Sequence, residues 1–257
     1  MGVRDDRCLS CGRRNPGLFG FAALLRFDGP AVQTAVIGAN VLLFVVALLL
    51  SGSRIGTGGF LRFLSPDGEV LYWLGASGAI PVFAASKWYT VLSAGWLHGG
   101  LLHILLNMYW LWNLFPAVSR EFGPARTLVI YQAAAMAGFG LSSVLGIVAI
   151  PIPGLGGAGF TVGASASVCG LLGALLYIGR RTSSAFARMI WRYVIFLAVF
   201  GLLIPGIDNA AHLGGFVGGY FVASRFGVFA AERGRHGLWA LGLLAASLAA
   251  VLVSATR

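Results

Sequence analysis

The chain has 257 residues, of which 58% are hydrophobic and 10% are charged, and its mean hydropathy is +0.86. A soluble domain carries about 25% charged residues, so this composition excludes a soluble globular protein. The apolar residues fall in runs of about 17–25 residues, the length that crosses a bilayer as a helix. Helices satisfy every backbone polar group within one span. The sequence therefore predicts an all-α, polytopic membrane helical bundle.

The N-terminal segment, residues 1–29, is polar and basic and contains Cys8 and Cys11 in a lone CxxC motif. A closed zinc site needs four ligands, so zinc binding would require a second chain. The alternative is a turn whose two cysteines are reduced and bind no metal. With Cys169 the cysteines number three, which does not fit a disulfide framework. No apolar stretch directly follows the basic residues, so we expect no cleaved signal peptide. No cofactor is predicted.

Seven apolar segments predict seven membrane spans. They are Ala31–Leu50, Leu101–Phe115, Thr127–Ile150, Val162–Ile178, Tyr193–Ile204, Asp208–Val222 and Leu238–Val253. The long connection between the first two, Ser51–Leu97, mixes apolar residues such as Phe60, Leu61 and Trp73 with charged ones. This mixture is typical of a segment that lies in the membrane interface; a plain loop with aromatic anchors is the alternative.

The net charge of +10 reflects arginines that collect in alternate loops. With the N-terminus in the cytoplasm, only Arg54, Arg62, Lys87 and Arg257 of the 18 basic residues are external, and the other 14 are cytoplasmic. Cytoplasmic loops carry the excess of Lys and Arg, so the sequence predicts a cytoplasmic N-terminus and an external C-terminus. No basic run interleaves with aromatic residues, which argues against a nucleic-acid partner.

Polar side chains lie near the external start of three different spans. His103 and Asn107 belong to the second span, Ser165 to the fourth and His212 to the sixth. His103, Ser165 and His212 are each about one turn below the start of their spans, so these three groups share one depth and one side of the membrane. Ionisable residues inside a membrane are costly and are candidates for function.

Ser165 is the candidate nucleophile, and His212 is the candidate base that would activate it. Gly215 and Gly219 follow His212 by three and seven residues, and small residues at this spacing allow transmembrane backbones to approach closely. Asp208 precedes His212 by four residues; a helix N-cap is favoured over a third catalytic member. We therefore predict a Ser–His dyad. The following residues could supply or order donors for an oxyanion: Asn107, His103, His98, Gly163 and the Ser165 backbone N–H.

The order and spacing of these motifs resemble the rhomboid family of intramembrane serine proteases. The resemblance covers about residues 31–225 and implies a six-helix catalytic core over residues 30–225, with residues 226–257 as a C-terminal seventh transmembrane helix. It implies that Ser165 attacks the peptide bond, that His212 acts as base, and that His103 and Asn107 line the oxyanion site. The implied substrates are single-span membrane proteins, cut near the external membrane face. The implied location is a bacterial inner membrane, and the oligomeric state stays open.

The resemblance also assigns roles to connecting elements, and it has departures. The fifth span and the loop before the sixth resemble the lateral gate and cap of the family, and Ser51–Leu97 resembles its half-submerged first loop. Ala166 stands where the family usually has glycine, and Cys169 where it often has an aromatic residue that packs on the catalytic histidine. Trp88 is followed by Tyr89 rather than by arginine. None of these changes removes a reacting group.

Two alternatives to a protease are weighed. A catalytically silent relative that binds transmembrane helices would not need the intact Ser165, His212 and Asn107. A transporter or channel would use the polar cluster to bind an ion, but the chain lacks the paired acids and duplicated halves of many carriers. No HExxH motif occurs, which argues against a metalloprotease.

Overall fold

A computed structural model describes residues 28–59, 63–148 and 154–256, and it confirms an all-α helical bundle. Nine α-helices occur in these ranges. They are α1 (Gly29–Ser51), α2 (Gly68–Trp73), α3 (Thr90–Ser93), α4 (Leu101–Phe122), α5 (Pro124–Val148), α6 (Ser165–Thr182), α7 (Ser184–Leu203), α8 (Asn209–Phe226) and α9 (Gly234–Thr256). The seven long helices match the seven predicted spans in order. Phe60, Leu61, Cys8 and Cys11 lie outside the described residues.

Within the described ranges, five helices are long and apolar enough to cross a membrane: α1, α4, α5, α7 and α9. The other two long helices, α6 and α8, have 18 residues each and are rich in glycine. Helix α6 lies at the centre of the bundle, where it packs against α4, α5, α7 and α8. Its surroundings are therefore mostly protein, which accommodates a helix of lower apolarity. Helix α8 packs mainly on α5 and α6 and leaves Leu213, Val217 and Phe221 exposed.

Helix α4 continues to Phe122, so the prediction that this span ends at Phe115 is wrong. Pro116 lies inside the helix and has no N–H to donate to the carbonyl of Trp112. The side chain of Gln33 in α1 replaces this donor: its Nε2 donates to the Trp112 carbonyl at 2.9 Å. A buried side chain on a neighbouring helix therefore allows α4 to pass through the proline.

Helix α7 begins at Ser184, nine residues before the predicted start at Tyr193. The Ser183 side chain caps it by accepting a hydrogen bond from Phe186 N at 3.3 Å. Helix α8 begins as predicted, with Asp208 as its N-cap: the carboxylate accepts from Ala211 N at 2.9 Å. Ser142 Oγ of α5 also donates to this carboxylate at 2.5 Å, which fixes the start of α8 against α5.

The connection between α1 and α4 is folded rather than extended. Ser77 pairs with Thr161 through two backbone hydrogen bonds of 3.0 and 2.8 Å, which join this connection to the segment before α6. Five of its described large apolar side chains are exposed: Phe63, Trp73, Ile80, Phe83 and Trp88. The interfacial position of this segment stays a prediction, and these exposed side chains agree with it. Lys87 is buried with its Nζ 4.2 Å from the centroid of the Tyr72 ring, and burial lowers the pKa of its amine.

Helix α9 is fastened to the rest of the bundle by a buried arginine. Arg126, 1% exposed, donates from Nε to His236 Nδ1 at 3.1 Å and from its guanidinium to the carbonyls of Ala230 and Ala231. The Glu232 carboxylate accepts from the backbone N of Arg126 at 2.8 Å. The start of α5 therefore holds both the linker before α9 and the first turn of α9.

We expect Arg126→Ala to lower the free energy of unfolding by about 2–4 kcal/mol, because several charge-assisted hydrogen bonds are lost and buried acceptors are left without a donor. Thermal unfolding of the purified protein in detergent micelles measures the change. The exposed Arg188, on α7, provides the matched control, and Arg188→Ala should unfold like the original protein. Equal destabilisation by both substitutions would contradict a specific role of Arg126 in holding α9.

Candidate functional site

The first turns of α4, α6 and α8 meet at one end of the bundle. Ala164 N, directly before α6, approaches Nε2 of the fully buried His98 at 3.5 Å. Gly138 of α5 packs against both α6 and α8. A Cβ built on Gly138 would be 2.8 Å from Ala166 Cβ of α6 and 2.5 Å from the Ala211 carbonyl oxygen of α8. The neighbours of Ser165 and of His212 in sequence therefore touch the same point of α5.

Ser165 is the first residue of α6 and is partly exposed. The backbone N–H groups of a first helical turn have no partner within the helix, so the Ser165 N–H is free to bind another acceptor. Gly163, two residues earlier, has φ +133° and donates its N–H to the Ala94 carbonyl at 3.0 Å. A Cβ on Gly163 would lie 2.6 Å from Nε2 of His103. Both the backbone conformation and the imidazole ring therefore require glycine here.

His103 is held in one orientation by the turn that precedes α4. Its Nδ1 accepts a hydrogen bond from Gly99 N at 3.3 Å. A neutral imidazole that accepts at Nδ1 carries its proton on Nε2, so the Nε2–H of His103 faces Gly163. The His98 ring meets the His103 ring edge to face, with the centroids 5.2 Å apart. His98 and His103 are thereby both brought to the start of α6.

Asn107 lies one turn below His103 and is 5% exposed. Its Nδ2 donates to the His103 carbonyl of the same helix at 2.9 Å. One of the two N–H groups of the amide is therefore engaged along α4, and the second can donate to another acceptor. Asn113 makes the same type of bond to Tyr109 two turns further on, at 2.7 Å, on an exposed face.

His212 lies in the first turn of α8, where its backbone N donates to the Asp208 carbonyl at 3.1 Å. Within the described ranges no hydrogen bond joins the Ser165 hydroxyl to His212. Their helices nevertheless pack with backbones in direct contact, since any Cβ on Gly215 would overlap the Ala166 carbonyl and any Cβ on Gly219 would overlap Gly170. Catalytic hydrogen bonds are often long without substrate, so this arrangement is compatible with a dyad.

Ala166, which stands where the resemblance leads us to expect glycine, lies in the tightest part of this contact. Ala166 is fully buried between Gly138 and Gly215, and even its methyl group is near the limit of the available space. Cys169, one turn after Ser165, is 8% exposed. In the described part of the chain, no group of three His, Cys, Asp or Glu residues could hold a metal ion.

Two residues near the site were not singled out in the sequence. Asn209 follows the N-cap of α8 and donates from Nδ2 to the Gly201 carbonyl at 3.0 Å, which ties the end of α7 to the helix that carries His212. Gly138 of α5 contacts both α6 and α8, beside Ala166 and the Ala211 carbonyl. The available signals were an asparagine three residues before His212 and a glycine in an apolar span. Neither signal says which neighbouring helix the residue contacts.

Comparison with known proteins identifies the family. Residues 85–228, more than half of the chain, match the family model for the Rhomboid domain. The chain is 29% identical over 211 residues to Rhomboid protease GluP of Bacillus subtilis, which covers 80% of this chain and 37% of that protein. It is 31% identical over 219 residues to RHOMBOID-like protein 1 of Arabidopsis thaliana, covering 77% of this chain and 53% of that protein.

A third relative is Inactive RHOMBOID-like protein 8 of Arabidopsis thaliana, 27% identical over 159 residues, which cover 60% of this chain and 42% of that protein. The chain therefore spans about half the length of these relatives or less. It belongs to the rhomboid family, and at the level of the family it is a multi-pass membrane protein related to intramembrane proteases.

Proposed function

We propose that this chain is an active intramembrane serine endopeptidase in which Ser165 is the nucleophile and His212 the general base. The observation that carries the proposal is the contact of Gly215 with Ala166, which presses the first turns of α6 and α8 together. Serine and histidine stand in these two turns, and a serine hydroxyl becomes a nucleophile when a base lies within about 2.6–3.2 Å.

The reaction follows from these groups. His212 accepts the proton of the Ser165 hydroxyl as Oγ attacks the carbonyl carbon of the substrate, and a tetrahedral oxyanion forms. The Ser165 N–H, the His103 Nε2–H and the second N–H of the Asn107 amide donate to this oxyanion. Protonated His212 then gives its proton to the leaving amine, which breaks the peptide bond and leaves an acyl ester on Ser165. Water, deprotonated by His212, hydrolyses the ester and restores the serine.

The proposed substrates are single-span membrane proteins cut near the external face. The excess of basic residues in alternate loops supports a cytoplasmic N-terminus, so that the starts of α4, α6 and α8 face the outside. Helix α7 supports a lateral route for substrate, since most of its side chains face away from the bundle and Asn209 holds its end to α8.

A serine-directed fluorophosphonate probe tests the proposal directly. We expect it to label the purified protein at Ser165, because only an activated hydroxyl attacks the phosphorus, and to leave Ser165→Ala unlabelled. Peptide mapping identifies the modified residue. The second candidate function is that of a catalytically silent relative. Two observations favour it: no hydrogen bond joins Ser165 to His212 in the described structure, and one relative is named as inactive. If this candidate is correct, the probe does not label the protein, although the protein is folded and binds substrate.

Asn107→Ala should lower kcat by about 10²-fold while KM changes far less, because an oxyanion donor acts in the transition state. Steady-state cleavage of a single-span substrate in liposomes separates the two constants. Asn113→Ala is the matched control, since it removes the same asparagine-to-carbonyl bond from α4 on an exposed face. Unchanged kcat in Asn107→Ala, or an equal loss in Asn113→Ala, would remove Asn107 from the mechanism.

A further inference from the structure

A group of buried polar side chains lies on the side of α6 that faces away from α8. Its members are Asn40 of α1, Tyr131 of α5, Ser167 of α6 and Trp96 of the turn before α4. The first three are fully buried, and Trp96 is 4% exposed. The Tyr131 hydroxyl lies close enough to the side chains of Asn40 and Ser167 for a weak direct interaction, although neither pair has the geometry of a hydrogen bond. The Trp96 and Tyr131 rings are 5.8 Å apart, centroid to centroid. We call these four residues the α1–α6 polar cluster.

Each member of the α1–α6 polar cluster presents a polar atom that has no hydrogen-bond partner in the described part of the chain. These atoms are Asn40 Oδ1, Tyr131 OH, Ser167 Oγ and Trp96 Nε1. The other half of the Asn40 amide is already used, because its Nδ2 donates to the Val36 carbonyl at 2.8 Å. Buried polar groups almost always have partners, so four such atoms on adjoining residues point to a bound molecule.

The chemistry of the cluster identifies that molecule. Asn40 Oδ1 only accepts, Trp96 Nε1 only donates, and the two hydroxyls do both. None of the four side chains is charged, which disfavours an ion at this depth in a membrane protein. Water donates two hydrogen bonds and accepts two, and it binds where two to four polar partners surround it.

We propose that the α1–α6 polar cluster binds a structural water that joins α1, α5 and α6. Ser167 follows Ser165 by two residues, and two residues turn a helix by about 200°, so this water lies on the side of α6 opposite Ser165. By bridging Ser167 to α1 and α5, it fixes the rotation of α6 about its own axis. This role is independent of the reaction proposed for Ser165.

X-ray radiolytic footprinting of the full chain in ¹⁸O-labelled water tests the site, because a bound water produces hydroxyl radicals next to the residues that hold it. Tyr131 should take up label several-fold faster than Phe115 and Phe122, which are equally buried aromatic residues outside the cluster. Ser167→Val replaces the hydroxyl with an apolar group and should abolish the labelling of Tyr131. Labelling of Tyr131 no faster than that of Phe115 and Phe122 would overturn the proposal.

Thermal unfolding tests independently whether the Tyr131 hydroxyl has a hydrogen-bond partner. If water satisfies the Tyr131 hydroxyl, Tyr131→Phe lowers the Tm, because the remaining partners lose a hydrogen bond. If the hydroxyl is buried without any partner, the same substitution raises the Tm or leaves it unchanged, which contradicts the proposal. If Ser167→Val fails to fold, the comparison of Tyr131 with Phe115 and Phe122 in the unsubstituted protein decides.

Discussion

Ser165→Ala is expected to lower the rate of cleavage of a single-span substrate by about 10⁴-fold or more, since no other group can form the acyl intermediate. The measurement is the appearance of the released ectodomain after the purified protein and the substrate are reconstituted together in liposomes. His212→Ala should cause a loss of similar size, because the two residues act as a unit and their effects are not additive. The double substitution should therefore be no slower than either single one.

Two controls accompany this experiment. Ser224→Ala removes an exposed hydroxyl of α8 that donates only to the Phe221 carbonyl at 2.7 Å, and it should cleave at the original rate. Substrate binding to Ser165→Ala, measured by fluorescence transfer in the same liposomes, should persist because the alanine is smaller than the serine. Cleavage that continues in Ser165→Ala would refute the proposed nucleophile. Binding without cleavage by the unsubstituted protein would favour the silent relative, and ion flux without cleavage would favour a channel.

Gly215→Leu is expected to abolish both probe labelling and cleavage and to destabilise the protein. Even a single methyl group at this position overlaps the carbonyl of Ala166, and this carbonyl belongs to backbone that cannot move independently of α6. A leucine must therefore push α8 away from α6 and carry His212 away from Ser165. Overpacking of a close contact costs about 1–3 kcal/mol or more, and a shift of about 1 Å costs about 10²-fold in rate.

A graded series separates loss of geometry from loss of folding. Gly215→Ala should retain the fold and lose labelling in part, which thermal unfolding and probe kinetics measure together. Gly140→Leu is the matched control, because Gly140 lies in a long helix and a Cβ on it meets no atom within 4 Å. Full activity in Gly215→Leu would show that α6 and α8 need not touch at Gly215, and inactivity of Gly140→Leu would show that the assay reports on insertion instead.

Much of the fold could be predicted because apolar length is decisive in a membrane protein. The seven long helices follow from seven apolar runs, and Asp208 was recognised as a cap from its position before a span. The errors at Phe115 and Tyr193 have a shared cause. Both predictions place the end of a span at charged residues or at a proline. In the structure, the Gln33 side chain supplies the donor that Pro116 lacks, so α4 continues. The Ser183 cap allows α7 to begin before its charged residues. Such partners become visible only when helices are placed side by side.

For the candidate site, the sequence predicts that its residues lie at similar heights in their spans, but not how their side chains are oriented. The positions of His103, Ser165 and His212 within their spans indicated that the three first turns adjoin, and the described backbone places them so. The orientation of each side chain was not predictable. The tautomer of His103 depends on Gly99, and the Asn107 amide depends on a carbonyl of its own helix. The contribution of Gly138 depends on which helix packs against both α6 and α8, and one sequence does not contain this information.

The composition of α6 and α8 affects how the protein is inserted into the membrane. Among the described helices, α6 and α8 are the long ones that do not meet the length and composition of a span, and they carry Ser165 and His212. Lipid alone stabilises them least, so their integration depends on neighbours that are already inserted. The glycines that bring α6 and α8 into contact lower the apolarity of both helices, together with Arg180 and Arg181 in α6 and with Asn209, His212 and Arg225 in α8. Insertion of these two helices should therefore be completed only as they pack against their neighbours.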